Sequence, residues 1–213
     1  MKKVRPENEE ELQRREAIGT IRASRFVRRY AKLGKPIDVG VLCTIHREIF
    51  KDAWPEIAGV YRDENLEITY SRHVPPHHSL VADKMAVFDL ELKEKLRELE
   101  SLRGALEILE REFSEEESKK LDVIVGVAAW IHHMITSIHP FRDGNGRTAR
   151  LATNLILERY GLVGISIKIE RENKNAYRGT LHQIDEYNDY EPLKEIIMTG
   201  IIDRYNGIPM RLS

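Results

Sequence analysis

Residues Leu121 to Leu151 read LDVIVGVAAWIHHMITSIHPFRDGNGRTARL. The part up to Ile138 is apolar nearly all round. A surface helix shows one apolar stripe, whereas a helix apolar on every side belongs in an interior. The spacing therefore predicts a buried central helix over 121–138. Its end is abrupt. Between Ser137 and Leu151 the chain packs a histidine, an acid, two glycines around an asparagine, and three arginines. The centre, DGNG, favours a tight turn with positive φ. Its flanks read as helix, so the turn does not make a hairpin.

The turn leads into a second helix, Gly146 to Tyr160, stopped by Gly161. A helix N-terminus offers free N–H groups and a favourable dipole to an anion. Glycines let a phosphate approach the backbone closely. Arg147 and Arg150 are three apart and project from one side of the first turn. Their forks suit phosphate oxygens. Asp143 would repel a phosphate unless a cation lay between them, and Mg²⁺ is the natural one. These parts describe a site for a nucleotide polyphosphate. His139, at the end of the buried helix, suits a general base acting on an incoming hydroxyl. Phe141 reads as a core anchor for the loop.

The rest of the chain reads mostly as helix. Glu9 to Leu33 carries apolar residues at Leu12, Ile18, Ile21, Phe26 and Leu33 and stops at GKP. Asp38 caps a second helix with Val41, Leu42, Ile45, Ile49 and Phe50. Gly59, two prolines and the alternation of Leu66, Ile68 and Tyr70 predict a turn and a small hairpin. Ser79 to Leu109 is a long amphipathic stretch. Two more helices follow, near Asn175–Tyr187 and Pro192–Tyr205. No repeat is present.

The 213 residues suit one domain with an appended arm. The formal net charge is −1, so no global field draws the chain to nucleic acid or membrane. Cys43 is the only cysteine, which excludes an internal disulfide and fits a reducing compartment. The opening MKKVRPENEE has no apolar run behind its basic residues, so it does not read as a secretory signal. No stretch of about 18 apolar residues is expected to span a bilayer. A cytoplasmic location is expected, with no membrane partner.

HPFRDGNGRTAR, His139 to Arg150, resembles the signature of the Fic (Fic/Doc) family, His-x-Phe-x-Asp/Glu-Gly-Asn-Gly-Arg-x-x-Arg, at all eight constrained positions. HREIFKDAWPEIAGVYR is similar to the family's entry segment. LEITYSRHVPPHHSLVADKM looks like its flap hairpin and following helix, and NAYRGTLHQIDEYNDYEPL like its C-terminal helix. The resemblance implies an all-α helical bundle with a small β-hairpin flap. It divides the chain into an N-terminal helical arm (1–38), a Fic domain (39–205) and a C-terminal tail (206–213).

The resemblance also implies transfer of AMP from ATP to a Tyr, Thr or Ser hydroxyl of a target protein. His139 would be the base, and Asp143 would hold Mg²⁺ on the phosphates. Gly144, Asn145 and Gly146 would form the anion hole. Arg147 and Arg150 would bind the β- and γ-phosphates, with Thr148 and Ala149 in the same ATP-binding turn. Tyr177 would lie near the adenine. Ile68, Thr69, Tyr70, Ser71, Arg72 and His73 would form the flap that holds the target by backbone pairing. Many members carry an inhibitory Ser/Thr-x-x-x-Glu-Gly/Asn helix. Ser24 is followed at that spacing by Arg28, and Thr199 by Asp203, so neither matches. A separate antitoxin protein is the expected inhibitor, and a homodimer is left open.

Rival readings stay open beside this one. A different nucleotide donor, or a non-catalytic nucleotide-binding module, would use the same loop. His132, His133 and His139, with His77 and His78, raise a metal hydrolase, although the i, i+4 ligand pair of a zinc helix is absent. A basic face from Arg14 to Lys32 (Arg15, Arg22, Arg25, Arg28 and Arg29 between them) raises nucleic acid. No recognition motif accompanies it, so nucleic acid is not expected as a partner.

Overall fold

The computed structural model describes residues 4–68, 73–102, 114–165 and 174–206. Over these the chain is all helical, as expected, with no strand. Helix α1 is Glu9–Lys32, α2 Val39–Phe50, α3 Val81–Leu99, α4 Glu115–Ile138, α5 Asn145–Arg159, α6 Lys174–Tyr187 and α7 Glu191–Asn206. Local signals set several ends. Asn8 caps α1 by accepting from the Glu10 and Glu11 amides, and Asp38 caps α2 through the Val41 amide. A capping box of Ser114 and Glu117 starts α4, earlier than the apolar run alone predicts.

Helices α4 and α5 form the central pair. Helices α1 and α2 pack on α5 and on each other, α3 and α7 flank α4, and α6 packs on α7. Against the expectation from the sequence, helix α4 is by length and composition apolar enough to cross a bilayer, and most of it is buried against these neighbours. Leu12, Ala23, Val27 and Ala31 of α1 belong to the same core as α4 and α5.

The buried face of α1 differs from the expected one. Ile18, Ile21 and Leu33 are exposed, whereas Gly19, Ala23, Val27 and Ala31 are buried. This ridge of mainly small residues at every fourth position lets α1 lie almost backbone to backbone on α2. A Cβ on Gly19 would stand 1.8 Å from the Ile49 carbonyl oxygen. Gly19→Ala is therefore expected to lower stability by about 3 kcal/mol, the upper end of ordinary overpacking, because a backbone atom cannot swing aside. Urea unfolding measures this, and a wild-type midpoint would contradict it.

The basic face of α1 is also partly tied down. Arg22 donates to the Glu48 carbonyl (2.7 Å) and pairs with Asp52 (2.5 Å), capping the end of α2. Arg15 donates to the Asp52 carbonyl.

The expected hairpin is not seen as paired strands. Thr69, Tyr70, Ser71 and Arg72, at its centre, lie outside the described residues. The stems are joined by side chains rather than by a backbone ladder. Arg62 donates to the Pro76 carbonyl, and the Asn65 side chain accepts from the His78 amide.

Candidate active site

Helix α4 delivers His139 as its C-cap. The residue stands in the left-handed region (φ 51°, ψ 56°), and its amide still reaches the Ile135 carbonyl. A non-glycine residue pays about 1–2 kcal/mol for that conformation, so the surroundings must enforce it. The ring Nδ1 lies 3.2 Å from the Thr136 carbonyl. A carbonyl only accepts, so Nδ1 carries the proton and Nε2 keeps its lone pair. His139 borders the cleft described below. Burial pushes its affinity for a proton below the ordinary imidazole value. The Thr136 bond opposes this, and the Arg62 charge adds to it.

The loop after His139 is held from beneath. Phe141 is fully buried and stacks on His46, with centroids 3.9 Å apart and planes within 7°. The Asn145 side chain closes the loop, accepting from the Phe141 amide (2.9 Å) and donating to the Phe141 carbonyl (2.7 Å). Asn145 is thus occupied by the loop, and an anion would meet only its backbone. His46, which the sequence reading did not single out, is the second support. Its Nδ1 accepts from the Gly59 amide (2.9 Å), so Nε2 is the donor to the Asp143 carbonyl (2.9 Å). Burial pushes His46 down to about 4, which keeps it in this neutral tautomer at neutral pH. The histidine in HREIF was the available signal, but only its contacts separate it from an ordinary helix residue.

Gly144 (φ 76°) is the N-cap of α5, and the Thr148 amide already bonds back to its carbonyl. The amides of Asn145, Gly146 and Arg147 are left at the open end of the helix. Arg147 and Arg150 are not equivalent. Arg147 pairs with Glu16 of α1 (2.6 Å), reaches Asp143 (3.2 Å) and lies over the Phe50 ring. Arg150 has no carboxylate partner among the described residues, and burial lowers its pKa. Its Nη1 lies 3.4 Å from where a Cβ on Gly146 would be, so the guanidinium reaches back over the helix start. Asp143 is half exposed, and its other oxygen accepts from the Gly144 amide. Thr148 and Ala149 are fully buried and present no side chain to the cleft.

A cleft of about 310 Å³ opens beside this turn. Its walls include Ile68, His73, His139, Gly146 and Tyr177. Two of the six expected flap residues, Ile68 and His73, therefore reach it. Tyr177 is pinned by a 2.6 Å bond to His132 Nε2, while His132 Nδ1 meets Thr153 (3.0 Å). His133 bonds to Asp185 (2.9 Å), which also lies 3.3 Å from His73. His73 Nε2 donates to the Ser137 carbonyl. Of the histidines that raised a metal hydrolase, His132, His133 and His139 are thus engaged in hydrogen bonds. Among the described residues no group of three or more ligands is placed to hold a metal ion.

A family model described as Fic/DOC family matches residues 36–157. The protein adenylyltransferase Fic of Nematostella vectensis is 30% identical over 85% of this chain and 36% of its own length. The protein adenylyltransferase fic-1 of Caenorhabditis briggsae is 27% identical over 90% of this chain and 34% of its own. The chain thus spans about a third of these curated relatives. Among solved structures, residues 134–508 of Fic-1 from C. elegans superpose with a TM-score of 0.65 at 25% identity, covering 92% of this chain and 52% of that one.

Proposed function

The chain belongs to the Fic/DOC family, and we propose on that footing that it transfers AMP from ATP to a hydroxyl of a target protein. The relatives named as protein adenylyltransferases support the reaction class. The observation that carries the reading to this chain is the pairing of a neutral, cleft-facing His139 with a helix start whose Arg150 has no carboxylate partner among the described residues.

The geometry supports the following roles. His139 Nε2 takes the proton of a Tyr, Thr or Ser hydroxyl. The oxygen attacks the α-phosphorus of ATP, and the bond from that phosphorus to the β-bridging oxygen breaks. Pyrophosphate leaves, and AMP stays on the target. The amides at the start of α5 and the Arg150 guanidinium stabilise charge on the phosphates. Tyr177, in the wall of the same cleft, lies beside the adenine of ATP. The half-exposed Asp143 suits Mg²⁺, which asks for one or two carboxylates and takes its other ligands from phosphates and water. When bound there, Mg²⁺ offsets the charge of the phosphates.

Incubation with Mg²⁺ and cell lysate, in parallel with α-labelled and γ-labelled ATP, tests the proposal. The α-label is expected on a protein band. The γ-label alone would make the chain a kinase-like member, and neither label moving at any target concentration would remove the proposal.

A further inference from the structure

The side chain that holds His139 in its unusual conformation comes from far along the chain. Arg62, after α2, is 4% exposed, and its guanidinium spends its fork on three backbone carbonyls. Nε donates to His139 (2.8 Å), Nη1 to Glu64 (2.9 Å) and Nη2 to Pro76 (2.5 Å). The Arg62 amide donates to the next carbonyl along, that of Pro140 (2.8 Å). One residue therefore holds both carbonyls that follow α4, and binds them to the two stems of the flap segment.

Two features separate this from packing. A buried guanidinium without a carboxylate is costly, and a site that needed only volume would be better served by an apolar side chain. Only arginine also has a planar fork that can meet three separate acceptors. The carbonyl it caps belongs to a left-handed, non-glycine residue, whose conformation persists only when its neighbours over-determine it.

We infer that Arg62 is the positioning residue for His139, fixing where the base stands relative to the start of α5 and the flap stems. The meaning of that position rests on the adenylyltransferase reading, whereas the position itself does not. The charge of Arg62 also acts on the ring, helping to keep it neutral.

The test uses Arg62→Lys and Arg62→Gln in the full chain. Lysine keeps the charge but lacks the fork, and glutamine has a single amide donor group. Misplacement by about 1 Å can cost about 100-fold in rate. A fall in kcat of that order is expected for Arg62→Lys, and a larger one for Arg62→Gln, with KM for ATP within about twofold of wild type. Binding of a fluorescent ATP analogue reports whether each variant is folded.

A second readout is independent of activity. The ring signals of His139 in NMR spectra, assigned by their loss in His139→Ala, are expected to move in Arg62→Lys while those of His132 stay. An unmoved His139 signal overturns the inference whatever the rates. So does a rate loss matched by an equal loss of nucleotide binding, since that marks a merely structural role. If the wild-type protein transfers no label, the adenylyltransferase reading fails, and the ring signals alone decide on Arg62.

Discussion

His139→Ala is expected to lower AMP transfer by about 1,000-fold, within the usual worth of a positioned general base, about 10²–10⁴. ATP affinity should stay within about threefold, because the proposed phosphate contacts lie on α5 and not on the ring. The two neighbouring histidines on that wall of the cleft are already engaged. His73 donates to the Ser137 carbonyl, and His133 is held by Asp185. Alanine also inherits a left-handed backbone at a cost of about 1–2 kcal/mol. His139→Asn is therefore the companion variant, since asparagine tolerates that region. Both should lose transfer and keep nucleotide binding. Full activity in either would remove His139 from the mechanism.

The acid side of the pH–rate profile follows from the same residue. Burial first, then Arg62 and His73, disfavours the imidazolium, while the Thr136 bond and Asp143 oppose them. His182 and Asp185 border the same cleft. The base is active when neutral, and its pKa is depressed. Transfer should therefore persist as the pH falls past about 6.5, the ordinary imidazole value, and fail only below it. An acid limb above that value would contradict the direction.

Gly144→Ala is expected to remove both transfer and nucleotide binding and to cost about 3 kcal/mol or more in stability, combining left-handed strain with overpacking. A Cβ there would lie 2.3 Å from Cε2 of Phe50, a fully buried ring that also carries Arg147 on its face. The ring has no room to turn away, so the turn itself must move. That displaces the Asp143 carbonyl from His46 and the start of α5 from the cleft. Gly146→Ala is the contrast. Its Cβ meets only Arg150 Nη1, at 3.4 Å. Wild-type stability with weaker nucleotide binding is expected there. Thermal unfolding with ATP-analogue titration reads both variants, and a Gly144→Ala protein that binds ATP normally would show the argument from the loop to be wrong.

Much of this molecule is written locally. The apolar run from Leu121 to Ile138 is a buried helix because a segment apolar on all sides has no other stable place. Asp38 caps a helix because its carboxylate reaches an amide three residues on. The order of residues from His139 to Arg150 places a histidine, a tight turn and a helix start in sequence, which is enough to raise a phosphate site. Other features could not be read this way. Glu16 meets Arg147 across 131 positions, His46 meets Asp143 across 97, and Arg62 meets His139 across 77. No period or spacing carries such pairs, because each depends on which helices pack. The difference between Arg147 and Arg150 arises in this way, although the two look alike on the page. The buried face of α1 escapes its apolar periodicity for a related reason. Periodicity weighs large apolar side chains, but close backbone approach selected Gly19 and Ala23 for the interior and left Ile18 and Ile21 outside. Local chemistry thus determined what the loop is made of, and tertiary packing decided which of its charges pair with distant carboxylates and which side chain meets the His139 carbonyl.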